Sequence, residues 1–336
     1  MEAGTLSPSR ELTPAERLRE WANRNPALAA SAFLGVVVVV LVASKGFHDV
    51  AQTGLNGLSL GAIYALGAVG LTLVYAILRL VNFAHGDFLT FGAYMAYLVN
   101  VTWGLPLILG VFFAMATTAL LGIFLERVMW GPMRTRGAGV LQLILMSIGL
   151  ALVIRYVIQY IWSTEIRFLE VNVTDTVNFL GLRIGQTKLI VIVVGVVVLV
   201  AIGLMLRYTL LGKRMRALSD NLELAETSGI DTSRVILWTW IFAGGLAGLA
   251  GVMAAMTTDI RPELGFELLV IIFAAVVLGG IGDAFGALAA GLVLGVVIEW
   301  STLVIDARWK TFVGFVILII ALVIRPQGIF GKSRAI

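Results

Sequence analysis

The chain has 336 residues, of which 60% are hydrophobic and 13% charged, with a net charge of +4 and a mean hydropathy of +0.99. A soluble globule with that composition has too few polar residues to cover its surface, so the chain reads as a membrane protein. It has no cysteine and only two histidines, His48 and His85, which excludes disulfides, thiolate metal sites and an all-imidazole metal centre. Its basic residues sit beside apolar runs, where they set topology, and this argues against nucleic acid as a partner.

Residues 1–25 are polar and mixed in charge. Thr13-Pro14-Ala15-Glu16 fits a capping box with proline at the first helical position, so a short surface helix is expected over 14–24, ended by Pro26. The apolar run 26–44, closed by Lys45, follows a leader with four glutamates, which favours an uncleaved first span (26–45) over a secretory signal. Further apolar spans are read at 50–78, 83–102, 105–127, 140–162, 188–206, 235–257, 267–280, 284–304 and 311–324. A helix needs roughly 20 apolar residues to cross hydrocarbon, and lipid offers backbone groups no partner. The fold class is therefore all-α, a polytopic transmembrane helix bundle of about 8 to 10 spans.

Orientation follows from the basic residues. Sixteen of the 24 Lys and Arg fall in 1–25, at Arg79, and in 127–136, 207–234 and 325–336, leaving eight elsewhere. That bias puts these segments and both termini, including the tail 332–336, on the cytoplasmic side. The short halves 267–280 and 284–304 meet at Gly279-Gly280-Ile281-Gly282-Asp283, which reads either as a tight turn at the surface or as a re-entrant break facing protein or water. The longest outer segment, 163–187, carries Val171, Val173 and Val177 among polar residues, the pattern of a short strand or irregular loop. Glycines recur at four-residue spacing in Gly57/Gly61, Gly244/Gly248 and Gly291/Gly295, which lets helices approach closely in a tight bundle.

Several polar groups interrupt this apolar chain. Asn82-Phe83-Ala84-His85-Gly86-Asp87 lies between two spans, where Asn82 reads as a helix cap and Asp87 as an anion near a positive helix start; the alternative is direct substrate contact. Asn56, Ser59 and Tyr64 lie within the 50–78 run, and Gln142 and Ser147 within 140–162. Such groups either line a translocation route or hold helices together. Asn56, Ser59, Tyr64, Asn82, His85 and Asp87 form the candidate substrate pathway. Arg155, Asp283 and Glu299 are the charges with room to sit deeper, and they form no relay of the kind a proton-driven carrier needs.

The segment Arg207–Arg234, RYTLLGKRMRALSDNLELAETSGIDTSR, is a charged island between two apolar spans. From Ala217 to Ser228 it has a helical pattern, with Leu218, Leu222 and Ala225 on one stripe and Gly229 as a C-terminal stop. A short amphipathic helix projecting from the membrane suits a partner's groove, or packs back on its own bundle. The C-terminal Gly331-Lys332-Ser333 is not a phosphate loop, because position 326 is Pro326 where the first glycine would stand.

Four separated stretches resemble the LivH-type permeases of bacterial branched-chain amino-acid ABC transporters: NGLSLGAIYALGAVGLTLVYAILRLVNFAHGDFLTFGAYMAY (56–97), GKRMRALSDNLELAETSGID (212–231), AAVVLGGIGDAFGALAAGLVLG (274–295) and RPQGIFG (325–331). The resemblance covers about residues 50 to 331. It implies a permease domain over 46–331, with the 1–25 segment and first span as additions. It further implies a non-catalytic importer subunit in the bacterial inner membrane that pairs with a second permease, two cytoplasmic ATPases and an extracytoplasmic solute-binding protein. No cofactor is expected in this chain; ATP and magnesium would bind the ATPases. The island looks like the family's ATPase-coupling helix, with Gly212, Arg216, Ala217, Asp220, Leu222, Ala225, Gly229 and Ile230 as the contact residues. A self-sufficient secondary carrier or channel is the alternative, and a membrane-embedded enzyme finds no nucleophile elbow, His/Cys cluster or paired carboxylates to support it.

Overall fold

A computed structural model describes residues 26–171, 175–179, 181–324 and 328. The helix expected over 14–24, the tail 332–336 and most of 325–331 lie outside the described residues. Contacts divide the chain into two units, 1–46 and 47–336. In the first, α1 (Pro26–Lys45) is one helix, apolar enough over Leu28–Lys45 to cross a membrane.

The second unit is a helix bundle. Its elements are α2 (Phe47–Leu78), α3 (His85–Tyr97), α4 (Leu107–Leu125), α5 (Val140–Trp162), a hairpin of β1 (Thr176–Phe179) and β2 (Leu182–Gly185), then α6 (Gln186–Tyr208), α7 (Leu210–Asp220), α8 (Leu222–Thr227), α9 (Thr232–Thr257), α10 (Leu264–Gly279), α11 (Ala284–Ser301) and α12 (Lys310–Ile324). A π turn carries α3 on to Thr102, and α4 continues through Glu126–Trp130 to Thr135. Among the described residues, seven helices, α1 included, are long and apolar enough to span a membrane. The expected spans 83–102, 267–280 and 311–324 instead form the shorter α3, α10 and α12.

Small residues decide which helices are central. The glycine pairs of α2 and α11 pack on one another: a Cβ on Gly57 would lie 2.6 Å from Val296 Cα, one on Gly61 2.7 Å from Leu292 O, and one on Gly291 2.6 Å from Ala65 Cα. Gly244 and Gly248 of α9 bring that helix against Ala119 and Ala114 of α4. Van der Waals contact of this kind holds helices together where lipid removes the hydrophobic drive. α2 and α9 are buried along most of their length, whereas α4, α5 and α6 expose Phe112, Leu120, Leu145, Val153, Val193 and Val200, the apolar surface that lipid accepts.

The 163–187 segment contains the antiparallel hairpin, with Val177 opposite Ile184, while Arg167 forms an isolated bridge with Ile260. The Gly279–Asp283 junction is a turn between α10 and α11. Gly280 and Gly282 adopt φ of +105° and +92°, a region L side chains avoid, and Asp283 caps α11 by accepting from the Phe285 and Gly286 N–H groups at 2.9 and 3.1 Å.

Candidate functional site

α2 ends at Leu78, and Arg79 turns the chain back with φ of +52°. Residues 79–84 are not helical and run back into the bundle. There the His85 Nε2 lies 3.0 Å from the carbonyl of Gly67, which is about three turns, roughly 16 Å, up α2 from its end. α3 therefore begins inside the bundle and not at its surface. Irregular backbone at that depth needs protein partners. Ser147 of α5 supplies one: its Oγ accepts from the Phe83 N–H at 3.2 Å. Gln142 has a different task, accepting from the Gly139 N–H at 2.8 Å at the start of α5.

The start of α3 gathers Asn82, His85 and Asp87, all fully buried. Asn82 does not cap α3 as its sequence position suggested. Its Oδ1 accepts from Ala84, one residue short of the helix, at 3.1 Å, and its Nδ2 has no partner among the described residues. Asp87 accepts from Arg155 of α5, with Nε at 3.0 Å and Nη2 at 3.3 Å. The sequence offered Arg155 only as the single charge in an apolar span of 23 residues; its partner lies 68 positions away. One helical turn further along α5, Gln159 Nε2 donates to Glu263 Oε1 at 3.0 Å.

The other expected pathway residues do not converge on this point. Asn56 accepts from Lys188 Nζ of α6 at 2.9 Å. Ser59 is buried with no hydrogen-bond partner among the described residues. Tyr64 packs in a separate cluster with Ile271 and Ile298. Glu299, expected only as a charge with room to sit deeper, pairs with Lys310 at 2.6 Å. The candidates thus mark three places along α2 and α3. A further knot escaped the sequence reading: Glu126, buried in the π turn after α4, accepts from Arg134 and from Trp240 Nε1 at 2.8 Å.

The charged island folds as two helices, not one. Asn221 leaves helical geometry at φ −156° and caps α8, its side chain accepting from Leu224 N–H at 3.0 Å; Thr209 caps α7 in the same way from Gly212. That break rotates the expected stripe. Leu218 and Ala225 are buried against the bundle, as is Met215, while Leu210, Leu222 and Leu224 are exposed. Arg216 is spent on its own chain, donating to the Leu206 carbonyl at the end of α6. Gly212 is buried beneath the same turn, Ala217 and Ile230 are half-buried, Asp220 is exposed, and Gly229 ends α8 with φ of +82°. Residues 218–223 border a cleft of about 360 Å³ with Ile77, Leu78, Arg79 and Arg134, and Arg79 Nη2 donates to the Ser219 carbonyl at 2.7 Å.

A family model described as "Branched-chain amino acid transport system / permease component" matches residues 54–322. The chain is 30% identical over 307 residues to the high-affinity branched-chain amino acid transport system permease protein LivH of Salmonella typhimurium, covering 87% of this chain and 98% of that protein. It is 30% identical over 304 residues to the corresponding permease BraD of Pseudomonas aeruginosa, with coverage of 86% and 97%. It is also 26% identical over 335 residues to the permease LivM of Escherichia coli, covering 90% of this chain and 75% of that one.

Proposed function

The chain belongs to the family of branched-chain amino acid transport system permease components, and we propose from that premise that it is one permease subunit of an ATP-driven importer for branched-chain or other small amino acids. It forms the translocation pathway with a second, related permease, and it carries out no chemistry. Two cytoplasmic ATPases bind ATP and magnesium, and an extracytoplasmic binding protein delivers solute. The chain resides in the bacterial cell membrane with both termini cytoplasmic.

The observation that carries this reading is the α7–α8 island. It is polar and basic, it sits at the end of a bundle otherwise suited to lipid, and it leaves Leu222 and Leu224 uncovered at 38% and 64% exposure. Exposed leucines on a short capped helix suit a soluble partner's groove. Leu224→Asp should lower ATP-driven uptake at least tenfold and weaken ATPase association while the permease still inserts and folds. Ala225→Asp should behave differently, lowering the yield of folded permease, because Ala225 faces the bundle. Equal behaviour of the two variants would remove the docking role from α8.

Reconstitution tests the whole reading. Leucine uptake into proteoliposomes should require the partner permease, the ATPases, ATP and the binding protein together. Accumulation by this chain alone on an ion gradient would establish a secondary carrier instead.

A further inference from the structure

One strip of the bundle surface does not suit lipid. Arg155 is the only charge in α5, and its side chain is 14% exposed while that of Asp87 is 0%. Asp87 occupies the Nε–Nη2 edge of the guanidinium, and Nη1 makes no hydrogen bond among the described residues. The guanidinium lies 4.7 Å from the centroid of the Phe266 ring, at the start of α10, and Phe266 is 49% exposed. Glu263 stands three residues before Phe266, held by Gln159 through Oε1 and half-exposed. A cation, an aromatic face and a carboxylate thus share one wall between α5 and α10. The wall lies toward the end that holds the Arg167–Ile260 bridge, opposite the α7–α8 island.

Charges in a spanning segment face protein or water, not acyl chains. Folding alone does not explain the pair, since buried ion pairs are often replaced by apolar residues without loss. The three groups match the three parts of an aliphatic α-amino acid. A guanidinium edge recognises a carboxylate by two parallel hydrogen bonds, a carboxylate accepts from an ammonium, and an exposed ring covers an aliphatic side chain.

We propose that this wall is where the pathway recognises a zwitterionic aliphatic amino acid. Arg155 takes the substrate carboxylate, Glu263 the ammonium and Phe266 the side chain. Asp87 is a positioning residue that holds the guanidinium by its inner edge. The proposal rests on the importer reading given above.

The test uses the full complex of permeases and ATPases, with binding protein added for uptake and omitted for equilibrium binding. The probes are leucine, leucinamide (which lacks the carboxylate) and 4-methylpentanoate (which lacks the ammonium). Wild type should bind leucine at least tenfold more tightly than either analogue. The double variant Asp87→Asn/Arg155→Gln removes both charges with little change of shape; it should keep the assembly and melting temperature, lose the preference for leucine over leucinamide, and lower uptake about 100-fold. Glu263→Gln should erase the preference over 4-methylpentanoate. Should the double variant fail to assemble, Arg155→Lys serves, since lysine keeps the charge but not the fork; leucine binding should weaken about tenfold. Wild-type leucine preference and uptake in these variants would overturn the wall while leaving the importer standing. Absence of ATP-dependent uptake of leucine, isoleucine and valine alone would overturn the wall, and absence of ATP-dependent uptake of any small amino acid by the wild-type complex would overturn both.

Discussion

Gly265→Val is expected to abolish the folded permease. Gly265 opens α10 against the first turn of α3, and a Cβ there would fall onto the carbonyl of Gly86, with Thr90 Oγ1 only 2.6 Å away. That neighbour is main chain, buried, and tied to Gly265 itself, whose N–H donates to Thr90 at 2.9 Å. No rotamer change relieves the overlap, so α3 must move. It cannot move far: a Cβ on Gly92, on the same helix, would lie 2.6 Å from Gly248 Cα of α9. Overpacking costs about 1–3 kcal/mol where side chains yield, and about 4 kcal/mol or more is expected here because backbone must yield. Gly149→Val is the control, since Gly149 is exposed with nothing within 4 Å. Monodisperse yield and melting temperature in detergent give the readout. A Gly265→Val permease that melts with wild type would mean that α3 is not clamped in this way.

Glu126→Leu should be the second most damaging change. One carboxylate there accepts from Arg134 and from Trp240 Nε1, and Trp240 is among the largest fully buried side chains. Leucine fits the volume but leaves an indole N–H and a guanidinium without an acceptor. Breaking a buried pair costs about 3–5 kcal/mol, and Arg134, 25% exposed, recovers part of that from water. A net loss of about 3 kcal/mol is expected. Glu126→Gln keeps an acceptor for the indole and should lose about half as much. A Glu126→Leu permease that melts with wild type would show that the knot contributes no stability of its own.

These results bear on what a sequence discloses. The bundle was legible because the bilayer imposes its length on most of the spans, and the glycine pairs at 57/61 and 291/295 gave a contact whose partners turned out to be each other. The depth of α3 was not legible. Hydropathy reports that 83–102 is apolar, yet it carries no sign that the chain re-enters the bundle without helix from residue 79. Asn82, His85 and Asp87 did announce a costly polar site, but the choice of Arg155 as the counter-charge is made by packing across 68 residues. The single helical run expected over 217–228 failed for a local reason. Asn221 offered a cap within a run that otherwise reads as one helix, and side chain–backbone bonding of that kind overrides periodicity.

The stretch 79–84 also acts as a tether. One end is knotted to α7 through Arg79 and the Ser219 carbonyl, and the other is the polar start of α3 beside Asp87. The six residues between are short and closed by a turn, the His85 N–H donating to the Asn82 carbonyl at 3.2 Å, so a tug on α7 of an ångström or two should arrive at the buried aspartate like the pull of a drawstring, without any long helix having to pivot.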